Sequence, residues 1–149
     1  MSPDPKVSPE WSSIRVGDEL PPLDVPLTAS VIVAGAIASR DFMPVHHDRA
    51  YANKQGAPDI FMNILTTNGY VARFITDWAG PHAELKSIAI RLGAPAMPNY
   101  LLRFTGTVVR TERAGDLGLV DVALKGTTDV GDHVTGNVVL LLPATSVGT

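Results

Sequence analysis

The chain has 149 residues, 45% apolar and only 18% charged, with a formal net charge of −3. That length holds one domain with a real core, and an acidic balance without a basic run excludes a nucleic-acid surface. Cysteine is absent, which excludes disulfides and thiolate metal sites, and no stretch approaches the ~20 apolar residues of a membrane span.

In chain order, residues 1–13 are rich in Pro and Ser and read as a flexible arm ahead of a single domain, 14–149. MSPDPKVSPEW carries Pro, Asp and Glu where a signal peptide needs a basic start and an apolar run, so a soluble cytoplasmic protein is expected. Val16 to Thr28 reads as a turn and a short, Pro-interrupted edge strand. Thr28 to Ala38 is apolar throughout and suits a helix capped by Thr28, although a buried strand has the same pattern. Phe61, Ile64, Leu65, Val71, Phe74, Ile75 and Trp78 then recur at three- and four-residue steps, the mark of one helical face. Asp59 is the predicted cap and Gly80-Pro81 the stop, giving a rod of about 19 residues and roughly 28 Å. Four extended runs rich in Val, Leu, Ile and Thr follow: Lys86 to Leu92, Tyr100 to Arg110, Gly118 to Thr127 and His133 to Leu142. Ala114 to Gly118 and Asp129 to His133 are predicted hairpin turns. A long helix followed by an antiparallel sheet predicts an α+β layer in which the sheet closes around the helix. The low charged fraction leaves room for a large subunit interface.

The titratable side chains gather in SRDFMPVHHDRAYANKQG, Ser39 to Gly56. Four residues including Pro44 separate Asp41 from His46, which puts the two on a loop and not on one continuous helix. A turn there brings carboxylate and imidazole around one small space, as needed to add water to an activated double bond or remove it. Asp and His near a helix end also serve as caps, and spacing alone leaves both readings open. His46 and His47 are adjacent and diverge, and no further ligand stands in register, so no metal site is expected. No G-x-S-x-G occurs, which leaves serine-nucleophile chemistry without support.

This stretch, with DIFMNILT after it, resembles the hydratase motif of the MaoC-like family of (R)-specific 2-enoyl-CoA hydratases, S-G-D-x-N-P-x-H-x-D followed by A, G and P-I-A-H-G-M-L-T. Asp41, Pro44, His46, Asp48, Ala52, Gly56 and Leu65-Thr66 match it. KSIAIRLGAPAMPNY resembles the family's next strand and its P-x-x-P-G-D turn, so the likeness runs from about Gly17 to Pro143. The resemblance implies a hotdog fold paired into dimers. DFMPVHHDRAYANKQGAPDIFMNIL and TDWAGP are similar, more narrowly, to the catalytic small subunits of heteromeric enoyl-CoA hydratases acting on steroid side chains, which pair with a second MaoC-like chain.

By the resemblance, Asp41 and His46 activate the water and deliver the proton, and the backbone N–H of Asn63 polarises the thioester carbonyl. Asn63 stands where the family has Gly, Met62 where it has His, and Met43 where it has the Asn of D-x-N-P. These changes point to a pocket adapted to an unusual acyl group, with Met43 and Met62 in its lining; Trp78 continues the helix stripe and is most simply core, with the floor of an acyl tunnel as its competing reading; drift in a degenerate subunit is the bland alternative. His47 and Asp48 are expected to be structural or exposed, and His82 and His133 to lie at the surface. Arg73 and Arg91 are expected on solvated faces, with CoA phosphates the competing reading. The implied reaction is reversible hydration of a trans-2-enoyl-CoA with a bulky or steroidal acyl chain. Its substrate is the CoA thioester, and it calls for no metal or redox cofactor. A non-catalytic acyl-CoA-binding or scaffold subunit, and an acyl-CoA thioesterase, are the competing functions.

Overall fold

The computed structural model describes residues 7–145. The apolar run after Thr28 is a helix, α1 (Ala29–Ala38), whose first turn is closed by the Thr28 hydroxyl accepting from the Val31 N–H at 3.1 Å. Beyond it Arg40 holds a left-handed φ of 57°. The N–H groups of Asp41 and Arg40 turn back to the carbonyls of Ala36 and Ile37 at 2.9 and 3.0 Å. This Schellman closure satisfies carbonyls that the helix end would otherwise orphan, and it fixes the point at which Asp41 leaves α1. A 3₁₀ turn, Pro44–His46, and a short helix, α2 (Arg49–Lys54), follow; the Asp48 carboxylate caps α2 by accepting from the Tyr51 N–H at 3.0 Å.

The long helix, α3 (Ile64–Ala79), is 16 residues, so it starts later than its periodicity suggests. The predicted cap, Asp59, is engaged elsewhere: its carboxylate takes the Arg49 guanidinium at 2.9 and 3.2 Å and the Ile60 N–H at 2.8 Å. The Met62 N–H donates to Ala96 O at 2.9 Å, an extended-chain contact. Asn63 is the actual cap, its side-chain oxygen accepting from the Thr66 N–H. Gly80, at φ 73°, ends the helix as expected.

Five strands form one antiparallel sheet in the order β1 (Leu23–Pro26), β3 (Leu101–Ala114), β4 (Leu117–Thr128), β5 (Gly131–Pro143), β2 (Glu84–Leu92). β3, β4 and β5 run 14, 12 and 13 residues with alternate side chains buried, so one face of the sheet is core and the other is wet. Register shifts at Leu85/Ser87, Val108/Arg110 and Gly126/Thr127 are the irregularities that let such long strands bend. Val71, Phe74, Ile75 and Ala79 of α3 lie in the same core cluster as Phe104, Val108, Val122 and Leu140 of the sheet. The Phe74 and Phe104 rings stack at 6.0 Å, and Gly106 lies so close to Phe74 that a Cβ there would stand 3.0 Å from the ring. This is the predicted α+β arrangement.

Two expectations need correction. The flexible arm falls partly on residues 1–6, outside the described residues, but the rest of it is anchored. Trp11 packs on the core, covers Gly118 and donates from Nε1 to Leu119 O at 3.3 Å, while the Ser8 hydroxyl accepts from the His82 N–H at 3.0 Å. His133 is not at the surface but 2% exposed. Its Nδ1 donates to Ala94 O at 2.7 Å and its Nε2 meets the Thr67 hydroxyl at 2.8 Å, tying the start of β5 to α3. The turn before it, Asp129 and Val130, is in place, yet strand alternation directs the imidazole inward. Among the described residues no helix is long and apolar enough to cross a membrane.

Candidate active site

Asp41 lies on the loop after α1, and His46 ends the 3₁₀ turn that Pro44 opens. Proline's fixed φ suits that first position, and the turn folds the imidazole back toward the carboxylate. His46 Nε2 stands 3.2 Å from Asp41 Oδ2, with side chains 8% and 27% exposed. The opposite ring nitrogen, Nδ1, is 2.7 Å from Phe61 O. A carbonyl oxygen only accepts, so Nδ1 carries the hydrogen, and in the neutral ring Nε2 turns a lone pair toward Asp41. Two acceptors then face each other, a geometry completed either by a proton on Nε2 or by the O–H of a bound water. The Phe61 ring meets the imidazole edge-on at 5.1 Å and 84°, fixing its plane from the side.

Asp41 has two donors and the imidazole around it. Oδ1 accepts from the Met43 N–H at 3.3 Å, and Oδ2 accepts from Asn63 Nδ2 at 3.1 Å and faces His46. The Asn63 hydrogen bond is the main reason its carboxyl sits below the usual carboxylate range; partial desolvation opposes it, the Met43 N–H assists, and the His46 ring does so when it carries a proton on Nε2. The other Asn63 N–H donates to Ser39 Oγ at 2.9 Å, and that hydroxyl donates in turn to Gly35 O at 2.7 Å. The Asn63 backbone N–H, at the positive end of α3, makes no hydrogen bond among the described residues.

The sequence-predicted residues divide. Asp41, His46 and Asn63 converge. Met43 is beside the pair through its backbone, with its side chain half exposed. Met62 is 2% exposed within the core, and Trp78 packs half-buried against that core, so both belong to the fold's packing. The open apolar space lies elsewhere, in a groove of about 370 Å³ between α1 and α3, lined by Gly35, Ala38, Ser39, Leu65, Thr66, Gly69, Tyr70 and Arg73. Sequence reasoning missed Ser39 and this groove, although Gly35 in an otherwise apolar helix is the signal that two helices approach closely there. His47, Asp48, His82, Arg73 and Arg91 are exposed, as expected. Among the described residues no three His, Asp or Glu side chains are grouped as a metal ion requires.

A family model described as a MaoC like domain matches residues 15–130, most of the chain. The chain belongs to the MaoC-like family. The 3-oxo-4,17-pregnadiene-20-carboxyl-CoA hydratase beta subunit of Mycobacterium tuberculosis is 47% identical over 125 residues, 84% of this chain and 94% of that protein. The crystal structure of the ChsH1–ChsH2 complex from the same organism superposes with a TM-score of 0.82 at 44% identity, covering 86% of this chain and 98% of that one. The (R)-hydratase PhaJ1 from Pseudomonas aeruginosa gives 0.81 at 18% identity over 93% of this chain and 88% of that one, a likeness of fold alone. With these superpositions the antiparallel sheet around α3 is the hotdog fold of the MaoC-like proteins.

Proposed function

We propose that this MaoC-like chain is the catalytic subunit of a hydratase that adds water reversibly across the double bond of a trans-2-enoyl-CoA, giving the 3-hydroxyacyl-CoA. The observation that carries the reading is Nε2 of His46 facing Oδ2 of Asp41 across 3.2 Å while Nδ1 is committed to Phe61. A water held by both acceptors has its oxygen lone pairs free for the β-carbon. Its O–H goes to that carbon, its other hydrogen to the α-carbon by way of the pair, and the reverse order removes it. As charge grows on the thioester oxygen, the Asn63 N–H at the N-terminus of α3 is suited to receive it. The substrate is itself the CoA thioester, and the reaction needs neither metal nor redox cofactor.

A bulky acyl group, of the steroid side-chain kind, is the finer part of the proposal. It is supported by the relative's name and by Ile37, Phe42, Met43, Ile64 and Leu65, which are all at least half exposed on α1, the site loop and the start of α3. The other finer part is pairing with a second MaoC-like chain. It is supported by the ChsH1–ChsH2 complex and by β2, a nine-residue edge strand with an open side.

The test is to give the chain, alone and co-expressed with a second MaoC-like chain, crotonyl-CoA and a steroidal enoyl-CoA. Expected is loss of the conjugated enoyl absorbance with a product heavier by one water and no free CoA thiol. Thiol release would make the chain a thioesterase. No turnover of either substrate in either assembly would leave a binding or scaffold role.

A further inference from the structure

Asn63 does more in this structure than close a helix. Each polar atom of its carboxamide has a partner whose own chemistry fixes the direction. The Thr66 N–H can only donate, so the atom it meets at 3.2 Å is Oδ1. The Asp41 carboxylate can only accept, so Nδ2 donates to it at 3.1 Å. Ser39 Oγ spends its own hydrogen on Gly35 O, so it accepts the second Nδ2 hydrogen at 2.9 Å. The amide is thus locked against a flip by three elements: the end of α1, the site loop and the first turn of α3. At 2% exposure it has no water with which to exchange these bonds.

We propose that the Asn63 side chain is the positioning residue of the acid–base pair, holding Asp41 Oδ2 against His46 and keeping it ionised. The need follows from the tautomer. With Nδ1 protonated, the neutral ring points a lone pair at Oδ2, and two acceptors 3.2 Å apart repel. Without another donor on Oδ2 the carboxylate gains by rotating away or by taking up a proton, and either removes the acceptor that a water needs. The Met43 N–H cannot substitute, because it reaches the other oxygen, Oδ1. Neutral, buried and hydrogen-bonded at both ends, an amide supplies the missing donor without adding a charge that would compete for the proton. The displaced ionisation of Asp41, whose first cause is this hydrogen bond, agrees with the geometry.

This inference rests on the hydratase reading only where catalysis is measured, and one arm of its test is independent of substrate. Asn63→Ser and Asn63→Asp both retain a good cap for α3; the serine hydroxyl, one bond nearer the backbone than Nδ2, falls short of Asp41, and the carboxylate has no hydrogen to donate. Asp41 ¹³Cγ titration by NMR, with the chain in its native assembly, is expected to move to higher pH in Asn63→Ser. It should move further in Asn63→Asp, where a carboxylate oxygen would face Oδ2. For hydration of an enoyl-CoA, kcat should fall about 10- to 100-fold in Asn63→Ser with KM little changed, the usual size of a lost hydrogen bond to a charged group. An Asp41 titration unchanged in both variants overturns the proposal whatever the activity, and reduces Asn63 to a cap. A displaced titration in a protein that hydrates nothing upholds the clamp and sinks the hydratase reading alone.

Discussion

Arg40 shows how much of the site is set by single residues. It holds φ 57°, a region costly for a side chain with a Cβ, at the step that turns Asp41 out of α1. Arg40→Gly relieves that strain, offset in part by the greater freedom of glycine in the unfolded chain. The variant is expected to be more stable by up to about 1 kcal/mol, read from its urea midpoint, with Asp41 unmoved. Asp41 and His46 were legible in the sequence, since their spacing across Pro44 brings them within reach through a local turn. The clamp was not, because Asn63 meets Ser39 and Asp41 from 24 and 22 positions away. Sequence reading therefore saw Asn63 as a backbone N–H standing where the family has Gly, with no role for its side chain. Met62 erred the other way: a large apolar residue near a motif looks like pocket lining until burial shows it to be core.

At the scale of elements, patterning settled most strands and turns, because alternation and hairpin residues are local signals. The start of α3 did not follow, since Asp59 and Asn63 are both good caps and the choice was made by Arg49, ten residues from Asp59. The contact between α1 and α3 depends on Gly35: a Cβ there would stand 2.4 Å from Thr66 Oγ1 and 2.7 Å from Thr66 Cγ2. Gly35→Leu has to push the helices apart or drive its side chain into the neighbouring groove. A loss of about 1–3 kcal/mol, the range for overpacking, should appear in chemical denaturation. If the groove seats the acyl group, turnover of a bulky enoyl-CoA should fall more than that of crotonyl-CoA.

For the whole molecule, the buried His133 makes stability depend on pH. Burial holds its pKa below the ordinary 6.5, against a smaller opposing effect of the Ala94 carbonyl. Between that lowered value and 6.5 the unfolded chain binds more protons than the folded one, so stability rises with pH across the window. It is complete above about pH 6.5 and is lost as the pH falls toward the folded value. His133→Gln should lower the urea midpoint at pH 7.5 and flatten its decline toward pH 5.5; an undiminished decline would assign the effect to other groups. The same residue marks a limit of sequence reading, since a histidine after a turn faces in or out according to strand register, a long-range property. The oligomer is likewise only suggested by the chain: low charge and one long open sheet edge call for a cover without naming it.

All of this bears on one claim, that Asp41 and His46 together activate a water for addition to an enoyl thioester. The most direct measurement is kcat/KM for enoyl-CoA hydration by the assembled wild-type protein, Asp41→Asn and His46→Ala, with folding of each checked by circular dichroism. Each variant should retain its fold and lose about 10²- to 10⁴-fold in kcat/KM. A folded Asp41→Asn or His46→Ala with wild-type turnover would contradict the account.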